Sequence, residues 1–125
     1  MNATSQALRG YAEHSVSTRS DRRAEYEAIA RVTQELRDSA LKSKTNFPAF
    51  AEALHTNRRL WTTLVIDIAD VKNPFPKELK GRIAYLAEFT NHQTRRILRD
   101  KASVMPLLEV NMALLRGLKK EGPVL

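Results

Sequence analysis

Apolar residues recur along this chain at spacings of three and four, the period of a helix that is buried on one side. The densest apolar stretch covers residues 57–68 and holds the only tryptophan, and we take it as part of a central helix. One apolar stripe on that helix consists of Leu54, Trp61, Val65 and Ile68. A second stripe beside it consists of Leu60, Leu64 and Val71. Apolar cover over so wide an arc predicts that neighbouring helices contact this one on more than one side.

Capping residues and prolines divide the rest of the chain into further helices. The residues that mark the predicted ends are Ser20, Thr45 or Asn46, Pro48, Pro74, Pro76, Ser103 and Pro106. The predicted helices cover residues 1–16, 21–43, a central stretch from just after Thr45 or Asn46 to about Val71, residues 77–100, and a last stretch after Ser103. The first of these is weak, because a glycine at position 10 interrupts it, and residues 17–20 predict a break before the second.

Each of the later helices has one inward stripe. The stripe of the helix over residues 21–43 consists of Tyr26, Ile29, Thr33, Leu36 and Ala40. The next helix places Leu79, Ile83, Leu86, Thr90 and Ile97 inward, and the last places Leu107, Asn111, Leu114 and Leu118 inward. No stretch alternates apolar and polar residues as a half-buried strand does. The sequence therefore predicts an all-α fold: a small helical bundle of four main helices plus a weaker N-terminal helix, in one domain over residues 1–125.

Composition narrows the class of protein. The chain has 125 residues and no cysteine, which excludes disulfides and thiolate metal sites. No apolar run approaches the roughly 20 residues of a membrane span, and the first residues lack the basic start and apolar middle of a signal peptide. We therefore expect a cytoplasmic protein with no membrane span.

The chain is basic, with a formal net charge of +7. The excess lies in the C-terminal half, mainly in Arg95, Arg96, Arg99 and Lys101 and in the pair Lys119 and Lys120. Such an excess can attract nucleic acid or acidic partners, but a solvated helix face is the favoured interpretation. The pattern lacks a compact recognition helix and a set of stacking aromatics, so RNA or DNA binding is the less favoured interpretation.

Motifs of catalysis and cofactor binding are missing from the sequence. The four glycines are scattered and form no phosphate-binding loop, and no serine sits in a nucleophile elbow. Glu52 and His55 form one Glu-x-x-His motif, with Glu88 and His92 as a second pair at another spacing. A di-iron bundle needs two such motifs and two further glutamates, so chance explains this one better. We expect no enzyme activity, no metal and no cofactor.

Four residues near or on the apolar stripes have competing interpretations. Arg58 and Arg59 either pair with an acidic partner or lay their stems over the bundle. Trp61 lies among apolar residues, which favours core packing over a role as a binding hot spot. Asn111 lies on the stripe of the last helix, where a buried amide is costly unless it is hydrogen-bonded. We expect Trp61 and Asn111 to be structural and Asn111 to bond within the chain.

Four runs of the sequence resemble one known family. The run from Phe47 to Trp61 resembles the central segment of FlaF, the flagellar biosynthesis regulator of alphaproteobacteria. Residues 25–33, 79–90 and 106–118 are similar to FlaF in the same order. The resemblance covers nearly the whole chain and predicts one FlaF-like helical domain.

The resemblance implies a function that composition does not. FlaF-like proteins promote flagellin production and export, are thought to bind flagellin in the cytoplasm, and act with or against a second regulator, FlbT. The expected partner is therefore flagellin, with FlbT as a functional link. The alternative is a post-transcriptional regulator that contacts flagellin messenger RNA through its basic C-terminal half. The sequence leaves the oligomeric state open.

A client helix needs an apolar groove with polar groups at its rim. The second stripe of the central helix and a small aromatic patch on the next helix suggest one. Its predicted lining is Leu60, Leu64, Tyr85 and Phe89, with Arg58 and Arg59 at the rim. The competing interpretation is that the four apolar residues belong to the core.

Overall fold

A computed structural model describes the backbone of residues 14–121 and the side chains of residues 23–119. It contains four α-helices: α1 (His14–Leu41), α2 (Phe47–Ala69), α3 (Lys77–Asp100) and α4 (Met105–Glu121). No strand occurs between residues 14 and 121, so the predicted all-α fold is confirmed.

The helices form a closed ring in which each one packs against two others. Close backbone contacts join α1 to α2, α2 to α3, α3 to α4, and α4 back to α1. Within the described residues the diagonal pairs, α1 with α3 and α2 with α4, have no such contact. The connections are short and span residues 42–46, 70–76 and 101–104. Short connections make consecutive helices antiparallel, so the arrangement is an up-down-up-down bundle.

Helix α1 starts earlier than the sequence predicts. It is continuous from His14, so the predicted break at residues 17–20 and the predicted cap at Ser20 are wrong. Serine and threonine lower helix propensity only moderately, and between Gly10 and Pro48 no glycine or proline forces the helix to end. The predicted weak helix over residues 1–16 lies outside the described residues, except for the start of α1.

Two of the later helices, α2 and α4, start at predicted capping residues. The Asn46 side chain accepts a hydrogen bond from the backbone N–H of Ala49, and Pro48 occupies the first turn of α2. Before α4, the hydroxyl of Ser103 accepts from the backbone N–H of Met105 at 3.0 Å. These bonds satisfy donors that a helix start otherwise leaves unpaired.

The core divides into two apolar clusters at different heights of the bundle. One, at the end where α2 turns into α3, contains Ile29, Trp61, Leu64, Phe75, Leu79, Ile83, Ala87, Leu114, Leu115 and Leu118. The other, at the opposite end, contains Leu36, Phe50, Ala53, Leu54, Ile97, Leu107 and Leu108. Each helix contributes residues to both clusters, so burial of apolar surface holds all four helices together.

A buried polar layer separates the two clusters. It consists of Thr33 from α1, Asn57 from α2, Thr90, Gln93 and Thr94 from α3, and Asn111 from α4. On each helix the layer falls between residues of one cluster and residues of the other, as Asn57 falls between Leu54 and Trp61. A polar residue at one height of every helix opposes any shift of one helix along another, because the shift would move it among apolar side chains.

Asn111 is the centre of this layer. Its Oδ1 accepts from the indole Nε1–H of Trp61 at 2.9 Å. Its Nδ2 donates to Asn57 Oδ1 at 2.8 Å and to Thr33 Oγ1 at 3.0 Å, and the Thr33 hydroxyl donates to the carbonyl of Ile29. One amide thus joins α4 to α1 and, across the diagonal of the bundle, to α2. With both N–H groups and the oxygen of Asn111 engaged, its burial costs little free energy.

Asn111→Asp tests the layer, because it keeps the side-chain size and removes both donors. The carboxylate would face the oxygens of Asn57 and Thr33, so we expect a loss of about 2–4 kcal/mol of unfolding free energy. At this chain length that lowers Tm by roughly 10 °C in a thermal melt. Asn91→Asp makes the same change on the exposed face of α3 and is the control. Equal Tm values for the two variants would contradict the role given to Asn111.

A second prediction concerns the end of α3. Lys101 closes this helix in the left-handed conformation, with φ 59°, and its N–H bonds to the carbonyl of Ile97. A Cβ atom disfavours this conformation and glycine does not, so we expect Lys101→Gly to stabilise the fold by about 0.5–1 kcal/mol. Tm should rise by roughly 2–4 °C. Lys101→Ala removes the same charge but keeps the Cβ, and an equal rise for both variants would show that charge, not conformation, is the cause.

Candidate partner-binding surface

An apolar groove of about 590 Å³ lies open between α1 and α4, and we call it the α1–α4 groove. It is lined by Arg37, Ala40, Leu41, Val104, Met105, Leu108, Glu109, Met112 and Arg116. The lining is therefore mostly apolar, with charged groups contributed by three residues.

Two features of the sequence build this groove. On α4, Met105, Leu108 and Met112 follow each other at spacings of three and four, as a second apolar stripe beside the core stripe. On α1, the last residue is Leu41, which is not a core residue. Leu41 is 81% exposed, Met105 54% and Met112 40%. Three large side chains in one groove thus remain accessible to solvent.

The charged residues of the groove are arranged unevenly. The guanidinium of Arg37 donates to the thioether sulfur of Met112 at 3.9 Å, and Arg116 follows Met112 by one helical turn. Glu109 lies on the same helix nearer the turn that precedes α4. Both cations therefore flank the Met112 end, and the end near Leu41 is apolar.

Comparison with known families identifies the chain. A model of the flagellar protein FlaF family matches residues 7–118. The chain belongs to the FlaF family. The match extends across all four helices and confirms the resemblance drawn from the four sequence runs. Comparisons with curated proteins and with solved structures give no match. No described helix of this FlaF-family chain is long and apolar enough to cross a membrane.

The residues of the groove predicted from sequence lie on different faces of the bundle. Leu64 is 2% exposed and belongs to the core, and the half-buried Leu60 lies near it. Both line a small depression of about 200 Å³ whose other wall is α1. Tyr85 is 72% exposed on α3 and is not part of that depression. Phe89 is half-buried on α3 and is not part of that depression either.

In the structure, Leu60 and Leu64 therefore line the same depression, and Tyr85 and Phe89 do not line it. Of the predicted rim residues, Arg58 is half-buried and Arg59 exposed. Binding of a partner by these residues stays a prediction.

The basic and metal-ligand candidates lie on the surface. Arg95, Arg96, Arg99 and Lys101 are exposed, and Arg96 donates to the side-chain oxygen of Gln93 at 3.3 Å. Glu52 and His55 are both exposed on α2. Among the residues whose side chains are described, no three histidine, aspartate or glutamate groups come together in a way that could hold a metal ion.

The depression between α1 and α2 contains one perturbed carboxyl group. Asp67 lines it beside Leu64, with the small residues Ala24 and Ala28 of α1 opposite. Partial burial beside these apolar groups raises the pKa of the Asp67 carboxyl, part of which stays exposed to solvent, and repulsion from Asp70 raises the pKa further. The ionised form is thus less stable at this site than in the unfolded chain.

The raised pKa of Asp67 gives a pH-dependent prediction. A folded pKa above the unfolded one contributes stability below the unfolded pKa, and this contribution is lost as pH rises through the folded pKa. Asp67→Asn should therefore match the parent near about pH 3 and melt slightly higher at about pH 7. The gain is small because solvent screens the exposed side chain. Thermal melts at both pH values test this, and a variant that melts lower than the parent at neutral pH would contradict it.

Proposed function

We propose that this chain binds flagellin in the cytoplasm and promotes its production and export, as a chaperone-like protein without catalytic activity. Membership of a flagellar protein family over residues 7–118 supports a role in the flagellum. The observation that carries the proposal is the α1–α4 groove, an apolar surface that the helices described between residues 14 and 121 leave uncovered.

A flagellin subunit before assembly explains the need for such a surface. Its terminal segments become helical only on assembly, and their apolar faces need cover until then. An amphipathic helix binds by laying its apolar face into an apolar groove, and the mostly apolar α1–α4 groove is a surface of this kind.

A second candidate function is binding of flagellin messenger RNA. The observation in its favour is the exposed basic side chains of α3 and its end, at Arg95, Arg96, Arg99 and Lys101. Contacts to phosphates release counterions, so affinity for RNA falls steeply as salt rises. Burial of an apolar helix face depends little on salt.

Co-purification at two salt concentrations tests these functions. The tagged chain is mixed with unpolymerised flagellin or with flagellin messenger RNA, at roughly 50 mM and 200 mM salt. We expect flagellin to be retained in a one-to-one complex at both concentrations, and RNA to be retained weakly and only at the lower one. Retention of RNA with a steep salt dependence, together with no retention of flagellin, would overturn the proposal in favour of the RNA-binding alternative.

A further inference from the structure

We infer that the α1–α4 groove is the docking site, and that its occupant is an amphipathic helix of about three turns with acidic residues flanking one end of its apolar face. The inference takes the identity of the client from the proposed function. The place of binding and the chemistry of the bound segment rest on the groove itself.

The exposure of its apolar lining indicates that the α1–α4 groove binds a partner. Single apolar side chains on a protein surface are ordinary, but Leu41, Met105 and Met112 line one opening together. The two methionines are flexible and polarisable, so they can adapt to partner side chains of different shapes. Covering these three residues removes apolar area from water, and a helix in the groove does so.

The length of the groove indicates the length of the bound segment. The α4 side of the groove runs from Met105 to Arg116, which is about 16 Å of helix at 1.5 Å per residue. A partner helix of about three turns spans this distance and presents three apolar anchors on one face, at spacings of three and four. The groove therefore fits a short helical segment rather than an extended protein surface.

The charged residues of the groove indicate the charge and the direction of the bound helix. Arg37 and Arg116 flank the Met112 end, whereas Glu109 is the only acidic residue of the lining. The rim is net positive at that end, so it attracts acidic side chains of the bound helix and sets its direction. The carbonyl end of the helix also carries partial negative charge, which favours placing that end beside the two arginines.

Two peptides serve as probes. Each is a fluorescent helix of about three turns with leucines on one face. One has two glutamates in its last turn, and the other has two lysines there. Binding to the full chain is measured by fluorescence anisotropy. We expect the glutamate peptide to bind and the lysine peptide to bind at least about tenfold more weakly.

Groove variants and matched controls locate the site. Leu41→Glu and Met112→Glu place a charge on exposed side chains, so both variants should keep the parental melting temperature. Each should weaken the glutamate peptide at least about tenfold. Ile66→Glu changes another exposed apolar residue, on α2 outside the groove, and should bind as the parent does.

Charge reversal tests the direction of binding. Arg37→Glu combined with Arg116→Glu should invert the preference, so that the lysine peptide binds better than the glutamate peptide. Arg82→Glu reverses an exposed charge on α3, outside the groove, and should leave the preference unchanged. An unchanged preference in the double variant would overturn the charge argument.

Flagellin itself separates this inference from the proposed function. If the folded groove variants retain flagellin as the parent does, the groove is wrong although flagellin binding stands. If the parent binds the glutamate peptide but not flagellin, the docking site stands and the client is wrong. A parent that is dimeric in light scattering and monomeric after Leu41→Glu would show that a second copy occupies the groove, which would overturn the inference.

Discussion

The hydrogen bonds of Asn111 are the constraint on which the rest of the bundle depends. An apolar core alone tolerates many alignments of four helices, because one methyl group replaces another at little cost. A buried amide that needs Trp61, Asn57 and Thr33 as partners tolerates only one alignment of the helices. It joins helices that touch along the ring and helices that face each other across the diagonal. Registry between helices is the best-attested use of such a buried polar group.

The α1–α4 groove follows from that alignment. Thr33 and Asn111 are hydrogen-bonded partners, so their helices are fixed at one height relative to each other. Arg37 lies one turn after Thr33 and Met112 directly follows Asn111, and the side chains of Arg37 and Met112 meet at the surface. The layer that aligns the core therefore also places the apolar stripe of α4 beside the last turn of α1. A shift of either helix would change both the core and the surface that we propose for binding.

Sequence patterns predict the helices, but they do not show which residues of different helices lie together. The range 77–100 for α3 and the caps at Asn46 and Ser103 follow from local chemistry, which the sequence contains in full. The predicted stripes do not include Asn57, although it lies three residues after Leu54 and four before Trp61. Which of two stripes a helix buries depends on its neighbours in the ring, and spacing along one helix does not contain that information. For this reason the sequence pattern groups Leu64 with Tyr85, although Leu64 is buried in the core and Tyr85 is exposed on α3.

The most direct test of flagellin docking is site-specific photo-crosslinking. A benzophenone amino acid replaces Met112 in the α1–α4 groove in one variant and Tyr85 on the outer face of α3 in another. Both positions are exposed, so both variants should fold. With unpolymerised flagellin and ultraviolet light, we expect a crosslinked product from position 112 and none from position 85. A product from position 85 with none from position 112 would contradict the account and place the client on the face of α3.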